Sequence, residues 1–270
     1  MQTHFFVTKS ITVEKSYKFS VRIIKIHLHL CGKEKNIYSL SKKLLTPMHI
    51  NTYIDHTILK PTTLVSDIEK LCAEAIQYGF AAVCVPPNFV KLARAQTVGT
   101  AVKVATVIGF PFGYSAVEAK IAEIVLAIVD GADELDVVVN ISAIKNNDWQ
   151  YLANEINHIM PIIQSKQKRI KIIIESGVLT DEEIIKCCEI YGLAGIDYLK
   201  TSTGYAEKGA TVEAVKLFRV HLPATVQIKA SGGIRDYAFA KQLIDAGATR
   251  LGCSAGVAIV NGAPAVETGY

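Results

Sequence analysis

Short apolar runs alternate with longer amphipathic stretches along this chain from Thr52 onward. The apolar runs are rich in valine and isoleucine, which is typical of parallel strands that are buried on both faces. The stretches between them repeat apolar residues at helical spacing. Eight runs of the first kind predict strands, at 52–57, 81–85, 103–110, 135–140, 170–176, 197–201, 225–231 and 249–254.

The stretches between these runs predict helices. The first stretch carries one apolar helical face, formed by Leu64, Ile68, Leu71, Cys72, Ala75 and Ile76. Further helices are expected after Pro86-Pro87, from near Ser115, and from near Asp148 to Gln164. The sequence "TDEE" at 180–183 is a helix start signal, because a threonine cap is followed three residues later by a glutamate.

Regular alternation of strands and helices implies right-handed crossovers between parallel strands. Eight such units within about 210 residues fit a closed (β/α)8 TIM barrel, an α/β fold that commonly needs about 250 residues. A doubly wound open sheet is the alternative, but it rarely needs eight regular repeats. The first strand also lacks a following glycine-rich nucleotide fingerprint. We therefore predict a single barrel domain over 48–260 and a small C-terminal tail over 261–270.

Residues 1–47 form an N-terminal extension of different character, with nine Lys or Arg and two Glu. Three interpretations are open: a targeting segment, a basic arm that binds anionic partners, or a start codon assigned too far upstream. The clean strand pattern that begins at Met48 favours the third. The rest of the chain carries 20 basic and 23 acidic residues, and this mildly acidic balance argues against a nucleic-acid-binding surface.

Two further features exclude classes of protein. The longest aliphatic run, at 124–129, is far below the ~20 residues that a membrane span requires. The six cysteines form no CxxC pair, and a chain of this length does not need disulfide staples. We expect reduced thiols in a cytoplasmic protein that has no membrane or nucleic-acid partner.

Polar residues follow several of the predicted strands, at the barrel face where function is expected. These residues are Asp55, His56, Cys84, Asp136, Asn140, Glu175, Lys200, Lys229 and Ser254. Histidine spacing gives no metal-ligand pattern outside "HLH" at 27–29, so we expect no metal and no cofactor. Cys84 is interpreted as a core thiol, because no histidine is paired with it in the sequence.

The sequence "DYLKTSTG" at 197–204 ends an apolar strand with a lysine. Period-two alternation places Asp136, Lys200 and Lys229 together in the barrel interior. A second ammonium and partial burial lower a lysine pKa, which makes the amine a nucleophile that can form a Schiff base. Asp136 offers a carboxylate for moving protons. A purely structural network of Lys, Asp and Lys is the open alternative for this trio alone.

Two glycine-containing loops favour a phosphate site. The sequence "SGGIR" at 231–235 follows strand seven, and "CSAG" at 253–256 follows strand eight. Barrels commonly bind phosphate with backbone amides of these two loops and a helix N-terminus. Gly204, after the lysine strand, is expected to close the third side.

Seven segments together resemble the deoxyribose-phosphate aldolase family: "IDHTILKP", "GFAAVCV", "TVIGFPFG", "ADELDVVVN", "YLKTSTG", "KASGGIR" and "GATRLGCSAGVAIV". The resemblance runs from about Tyr53 to Val260. It implies a metal-free class I aldolase, often a dimer or tetramer. Such an enzyme reversibly cleaves 2-deoxy-D-ribose 5-phosphate to glyceraldehyde 3-phosphate and acetaldehyde.

The resemblance also implies roles for individual residues. Lys200 corresponds to the Schiff-base lysine, Lys229 to the lysine that tunes it, and Asp136 to the proton-relay aspartate. The residues implied around the phosphate are Gly204, Gly232, Gly233 and Ser254, and those implied at sugar hydroxyls are Asp55 and Thr203. Ala255 stands where some members have a second serine, which removes at most one hydrogen bond to phosphate.

Two rival functions stay open at this point: a Schiff-base aldolase for another sugar phosphate, and a barrel that binds phosphate ligands without catalysis. For the tail, a frayed end is one interpretation. The other places the tail over the barrel mouth, where the Tyr270 hydroxyl assists proton transfer.

Overall fold

The structure, a computed structural model, describes residues 49–262. The predicted N-terminal extension, 1–47, lies outside the described residues. So do most of the predicted tail and its Tyr270. The predicted division of the chain at residue 48 therefore stays a prediction.

Eight parallel strands close into a barrel in which each strand pairs with its neighbours in the chain and β8 pairs with β1. This confirms the predicted (β/α)8 TIM barrel. The observed strands are shorter than the apolar runs, because the ends of those runs turn into loops. They are β1 (Ile54–Thr57), β2 (Ala82–Val85), β3 (Lys103–Ile108), β4 (Glu134–Val138), β5 (Arg169–Ile173), β6 (Tyr198–Lys200), β7 (Gln227–Ser231) and β8 (Arg250–Cys253).

The helices between the strands form the outer layer. They are α1 (Val65–Tyr78), α2 (Val90–Thr97), α3 (Val117–Asp130), α4 (Ile141–Lys145), α5 (Trp149–Ser165), α6 (Asp181–Ala194), α7 (Val212–His221), α8 (Tyr237–Asp245) and α9 (Gly256–Val260). Short 3-10 turns cover Ile50–Tyr53, Pro87–Phe89 and Ser176–Val178. Between residues 49 and 262, no helix combines the length and the hydropathy needed to cross a membrane.

The helix starts follow their capping residues. Thr180 and Glu183 form the predicted capping box of α6, and the Asp148 side chain accepts a hydrogen bond from the Tyr151 amide at the start of α5. The short helix α4 was not predicted. Asn140, a candidate functional residue at the end of β4, caps that helix by accepting from the Ala143 amide. Its side chain therefore has a local structural role.

The apolar face of α1 is narrower than predicted. Ile68, Leu71, Cys72 and Ala75 are buried, but Leu64 is 62% exposed and Ile76 is 41% exposed. Leu64 precedes the helix in extended backbone, so it does not share the helical face. Ile76 is rotated about 100° from its buried neighbour, which turns it toward the edge of the face.

The core has two parts. Outward-facing aliphatic residues of the strands pack against the helices and form the large cluster between barrel and helix layer. A separate small cluster lies on the β2–β3 side of the barrel interior and consists of Leu59, Ala82, Cys84, Ala105 and Val107, with Phe110 packed against it. The buried charged side chains of the barrel interior lie on β4 to β8 and β1. The barrel interior therefore has an apolar side and a charged side.

The helix layer contains one buried ion pair that bears on the site below. The fully buried Lys120 ammonium of α3 lies 2.6 Å from the Glu155 carboxylate of α5 and donates to the Val138 carbonyl, 2.8 Å away. These two contacts link α3 and α5 to the end of β4, the strand that carries Asp136.

Candidate active site

Lys200, Asp136 and Lys229 meet in the barrel interior. The Lys200 and Lys229 ammonium groups both donate to Asp136 Oδ2, at 2.8 Å and 2.7 Å. The strands explain this arrangement, because Lys200 and Lys229 are register partners on β6 and β7, while Asp136 projects from β4. All three side chains are buried.

Four further charged residues join this trio, and only Asp55 among them was predicted as a site residue. Lys171 contacts Glu134 at 2.6 Å and Asp136 at 2.7 Å. Arg250 contacts Asp55 at 2.6 Å and Glu134 at 3.0 Å. The buried charge network, as we name it, consists of Asp55, Glu134, Asp136, Lys171, Lys200, Lys229 and Arg250.

The alternation of side chains along the strands contained the signal for the three missed residues. Lys171 lies four residues before Glu175, and Arg250 lies four residues before Ser254. Glu134 lies two residues before Asp136. Each therefore faces the same side of its strand as a residue near the mouth. A charged residue deep in an apolar strand is costly unless it is paired, and pairing across strands is not visible in a local pattern.

The two lysines at Asp136 differ in pKa. Burial lowers the pKa of Lys200, and the nearby Lys229 ammonium lowers it further against the opposing effect of Asp136. Burial would also lower the pKa of Lys229, but Asp136 and Asp55 outweigh it and hold that pKa above its usual value. Lys229 therefore stays protonated under conditions in which Lys200 loses its proton.

The carboxylate between the lysines stays ionised. Burial alone would raise the pKa of Asp136, but three surrounding ammonium groups hold it well below its usual value. The network as a whole contains four cationic and three anionic side chains. Loss of one proton from Lys200 leaves three buried charges of each sign. The charge count within this network agrees with the lowered pKa of Lys200.

A cavity of about 420 Å³ opens at the barrel mouth above this network. Among the predicted site residues, those that line it are Lys200, Thr203, Gly232, Gly233 and Ser254. Asp136 and Lys229 are fully buried beneath the cavity, and Asp136 accepts a hydrogen bond from Lys200, which lines it. Gly204 is not a lining residue. Of the four network cations, Lys200 is the one that faces the cavity within the described part of the chain.

Asp55 is placed differently from the expectation of a sugar-hydroxyl contact. Its carboxylate is fully buried, 2.5 Å from the Lys229 ammonium and 2.6 Å from the Arg250 guanidinium, and it does not line the cavity. Burial would raise the pKa of Asp55, but these cations hold it below its usual value. The geometry makes Asp55 a partner of Lys229, and a direct sugar contact stays a prediction.

The loop after β7 forms one wall of the cavity. Gly232 and Gly233 adopt φ values of 85° and 76°, which residues with a side chain rarely adopt. A Cβ on Gly232 would also lie 3.0 Å from the Gly209 Cα, so the loops after β6 and β7 touch there. Arg235 lines the cavity beside these glycines and adds a cation that was not predicted as a site residue.

Thr203 lines the cavity next to Lys200 and is held by Glu175. The Glu175 carboxylate accepts from the Thr203 hydroxyl and from the Thr203 amide, the latter at 3.1 Å. Glu175 adopts a left-handed backbone conformation, with φ at 55°, which is a strained state found where surrounding contacts enforce it. Burial raises the pKa of Glu175.

Two other candidates at the strand ends have separate roles. His56 lines the cavity, and its Nε2 lies 2.7 Å from the Glu74 carboxylate of α1. Burial raises the pKa of the Cys84 thiol, which keeps it protonated and poorly nucleophilic. Within residues 49–262, no group of three His, Cys, Asp or Glu side chains is placed to hold a metal ion.

This fold and centre define the class of lysine-dependent aldolases, in which a desolvated amine at the mouth of a (β/α)8 barrel reacts with a carbonyl. The chain belongs to the DeoC/LacD family of aldolases, because the profile of that family matches residues 50–262. Membership confirms the predicted enzyme class and the family resemblance.

Named relatives agree with this membership. Over 222 residues the chain is 50% identical to the deoxyribose-phosphate aldolase of Thermococcus gammatolerans, covering 82% of this chain and 99% of that protein. It is 49% identical over 217 residues to the same enzyme of Thermococcus kodakarensis, covering 80% and 97%. The tetrameric deoxyribose phosphate aldolase of Aeropyrum pernix superposes with a TM-score of 0.74 at 30% identity, covering 78% of this chain and 89% of that one.

Proposed function

We propose that this aldolase reversibly cleaves 2-deoxy-D-ribose 5-phosphate to D-glyceraldehyde 3-phosphate and acetaldehyde through a Schiff base on Lys200. The observation that carries the proposal is the position of Lys200. It lines the cavity, its pKa is lowered chiefly by burial, and it belongs to a network that is charge-balanced when it is neutral. The names of the close relatives support the choice of substrate.

The reaction begins when the neutral Lys200 amine adds to C1 of the open-chain sugar, giving a carbinolamine. Loss of water gives an iminium, which accepts the electron pair of the C2–C3 bond when that bond breaks. The C3 hydroxyl loses its proton in the same step, and glyceraldehyde 3-phosphate leaves. The remaining enamine takes a proton at C2, and hydrolysis releases acetaldehyde and restores the amine.

Asp136 and Lys229 serve the proton transfers in this proposal. Asp136 accepts hydrogen bonds from both lysines through one oxygen, so it can pass a proton between Lys200 and Lys229 with little movement. Lys229 is held protonated by its carboxylate neighbours, which makes it the proton reservoir. Asp55 acts through Lys229 as a positioning residue.

The phosphate is assigned to the cavity wall formed by Gly232, Gly233, Ser254 and Arg235. Glycines in left-handed conformations allow backbone amides to approach an anion closely, and the guanidinium supplies a charged donor. Gly204 adjoins this wall, because its Cα lies 3.5 Å from a Cβ placed on Gly232. Thr203 is assigned to a sugar hydroxyl. Holding the phosphate away from the reacting carbon orients the sugar, which contributes several kcal/mol.

The proposal extends to assembly and location. The exposed apolar side chains of Val125, Leu126 and Val129 on α3 suit a subunit interface, and the Aeropyrum pernix relative is a tetramer. We therefore assign the chain a homodimer or homotetramer. The five cysteines of the described residues are buried free thiols, which suits the reducing cytoplasm.

The proposal is tested by trapping the intermediate. Incubation of the purified protein with acetaldehyde and borohydride, followed by digestion and mass spectrometry, is expected to place an ethyl group on Lys200. The Lys200→Ala variant is expected to give no adduct there and to lose cleavage of deoxyribose 5-phosphate. Lys216→Ala, on the exposed surface of α7, is the control and should behave as wild type. Folded protein without an adduct on Lys200 would contradict the proposal.

A further inference from the structure

The apolar side of the barrel interior begins beside Lys200. The small cluster of Leu59, Ala82, Cys84, Ala105 and Val107 covers the β2–β3 side, and Leu59 of this cluster lines the same cavity as Lys200. The predicted phosphate wall lies on the β7–β8 side of the mouth. A substrate bound at Lys200 therefore lies between a polar side and an apolar side of the mouth.

Tyr205 is not a lining residue of the cavity, but it packs against this apolar cluster and contacts Leu59, which lines the cavity. Its ring packs edge-to-face against Phe110, with centroids 5.4 Å apart and planes at 87°. Its hydroxyl donates to the Leu59 carbonyl, 2.9 Å away. Leu59, Phe110 and Tyr205 follow β1, β3 and β6, so one side chain joins three loops of the mouth. Leu59 and Phe110 both belong to the apolar side.

The position of Tyr205 is fixed relative to Lys200 by the backbone between them. The Tyr205 amide donates to the Thr203 hydroxyl oxygen at 3.0 Å, and that hydroxyl donates to Glu175. Thr203 itself lines the cavity next to Lys200. Glu175 is the positioning residue of this loop, because its carboxylate holds Thr203 at two points. The ring is thus anchored from below, through Glu175, and from across the mouth, through Leu59.

We propose that Tyr205 is a specificity-determining residue that closes the apolar side of the mouth and limits the carbon chain of the aldehyde that Lys200 takes as donor. The inference rests on the proposed function. In the synthetic direction, the Lys200 nitrogen forms a C=N bond with the donor aldehyde and releases water. Loss of a proton from the adjacent carbon then gives the enamine that attacks the acceptor.

Acetaldehyde has no carbon beyond this reacting pair, whereas propanal adds a methyl group at the nucleophilic carbon. With the phosphate-bearing acceptor assigned to the β7–β8 side, the proposal places the added methyl group on the apolar side, next to Tyr205. An apolar environment stabilises a bound methyl group if there is room for it, and one such group changes kcat/KM by about 10-fold or more. Removal of the ring opens that room.

The test measures aldol addition to glyceraldehyde 3-phosphate with acetaldehyde and with propanal as donors, and reports the ratio of the two kcat/KM values. Tyr205→Ala is expected to raise the propanal-to-acetaldehyde ratio about 10-fold or more. Tyr205→Phe keeps the ring, loses the hydrogen bond to Leu59, and is expected to raise the ratio by a smaller factor. Tyr114→Ala is the matched control, because Tyr114 is an exposed tyrosine in the loop after β3.

An unchanged ratio in Tyr205→Ala, or an equal rise in Tyr114→Ala, would overturn the inference while leaving the proposed function in place. Wild-type protein that fails to add acetaldehyde would overturn both. Thermal unfolding shows whether each variant is folded. If Tyr205→Ala does not fold, the ratio in Tyr205→Phe decides, and a wild-type value there counts against the inference.

Discussion

Replacement of Lys229 by methionine separates the electrostatic role of this lysine from a role in proton transfer. Methionine keeps most of the volume of the lysine stem and removes the charge. The buried charge network then contains three cations and three carboxylates, so Lys200 must keep its proton to balance it. We therefore expect the pKa of Lys200 to rise toward its usual value and the neutral, reactive fraction to fall.

The size of this effect follows from the geometry. The ammonium groups of Lys200 and Lys229 contact the same carboxylate oxygen at 2.8 Å and 2.7 Å. Two unit charges about 5 Å apart repel each other by about 3 kcal/mol at an effective dielectric constant of about 20. This energy corresponds to a change on the order of a hundredfold in the neutral fraction of Lys200.

The assay is the initial rate of acetaldehyde release from deoxyribose 5-phosphate across the pH range. In Lys229→Met, kcat/KM near neutral pH is expected to fall on the order of a hundredfold. The deficit is expected to shrink as the pH rises, because alkali removes the proton from Lys200 in the variant as well. Lys216→Met removes a charge from the exposed surface of α7 and should leave the profile unchanged.

Two outcomes would refute this reasoning. A folded variant with the wild-type pH profile would show that Lys229 does not tune Lys200. A deficit of the same size at every pH would show that Lys229 acts in proton transfer alone, without an electrostatic effect on the pKa of Lys200.

Two other predictions concern stability. Lys120→Met leaves Glu155 buried without its ammonium partner. The free energy of unfolding measured in urea should therefore fall by about 3–5 kcal/mol. The double variant, Lys120→Met with Glu155→Leu, should recover most of this loss. Equal values for the single and double variants would contradict the pairing. Gly113→Ala places a Cβ 1.7 Å from the Val139 carbonyl oxygen, whereas Gly99→Ala has a similar φ and meets nothing within 4 Å. In thermal unfolding, the free energy of unfolding should fall by about 1–2 kcal/mol in Gly99→Ala and by clearly more in Gly113→Ala. Equal losses in the two variants would show that the loop of Gly113 moves to accommodate the added methyl group.

The fold was predictable because its signals are local and repeated. Each strand is a short apolar run, and caps such as Thr180 and Asp148 mark helix starts in the sequence itself. The errors arose where local periodicity did not reveal the boundary of a face. Leu64 matched the spacing of α1 but precedes the helix, and the short helix α4 has too few residues to show a period.

The candidate site was predictable only in part. Lys200 and Lys229 stood out because hydroxyl residues and glycines follow each of them near a strand end, and Asp136 stood out because period-two alternation places it on the interior face of its strand. Lys171 and Arg250 lie deeper, inside runs that otherwise look apolar. Their presence there is explained by partners on other strands, and those pairings depend on barrel closure, which a linear pattern does not display.

The order of the charged network residues along the chain affects how the barrel forms during synthesis. All three carboxylates lie on β1 and β4, in the first half of the barrel, whereas all four cations lie on β5 to β8. During synthesis from the N-terminus, the first half emerges with acidic groups that have no basic partners to be buried against. These carboxylates stay hydrated until the second half arrives, and the opposite charges of the two halves then attract each other. Ring closure and assembly of the reactive centre are therefore one event, so an incompletely made chain has neither a sealed core nor an activated lysine.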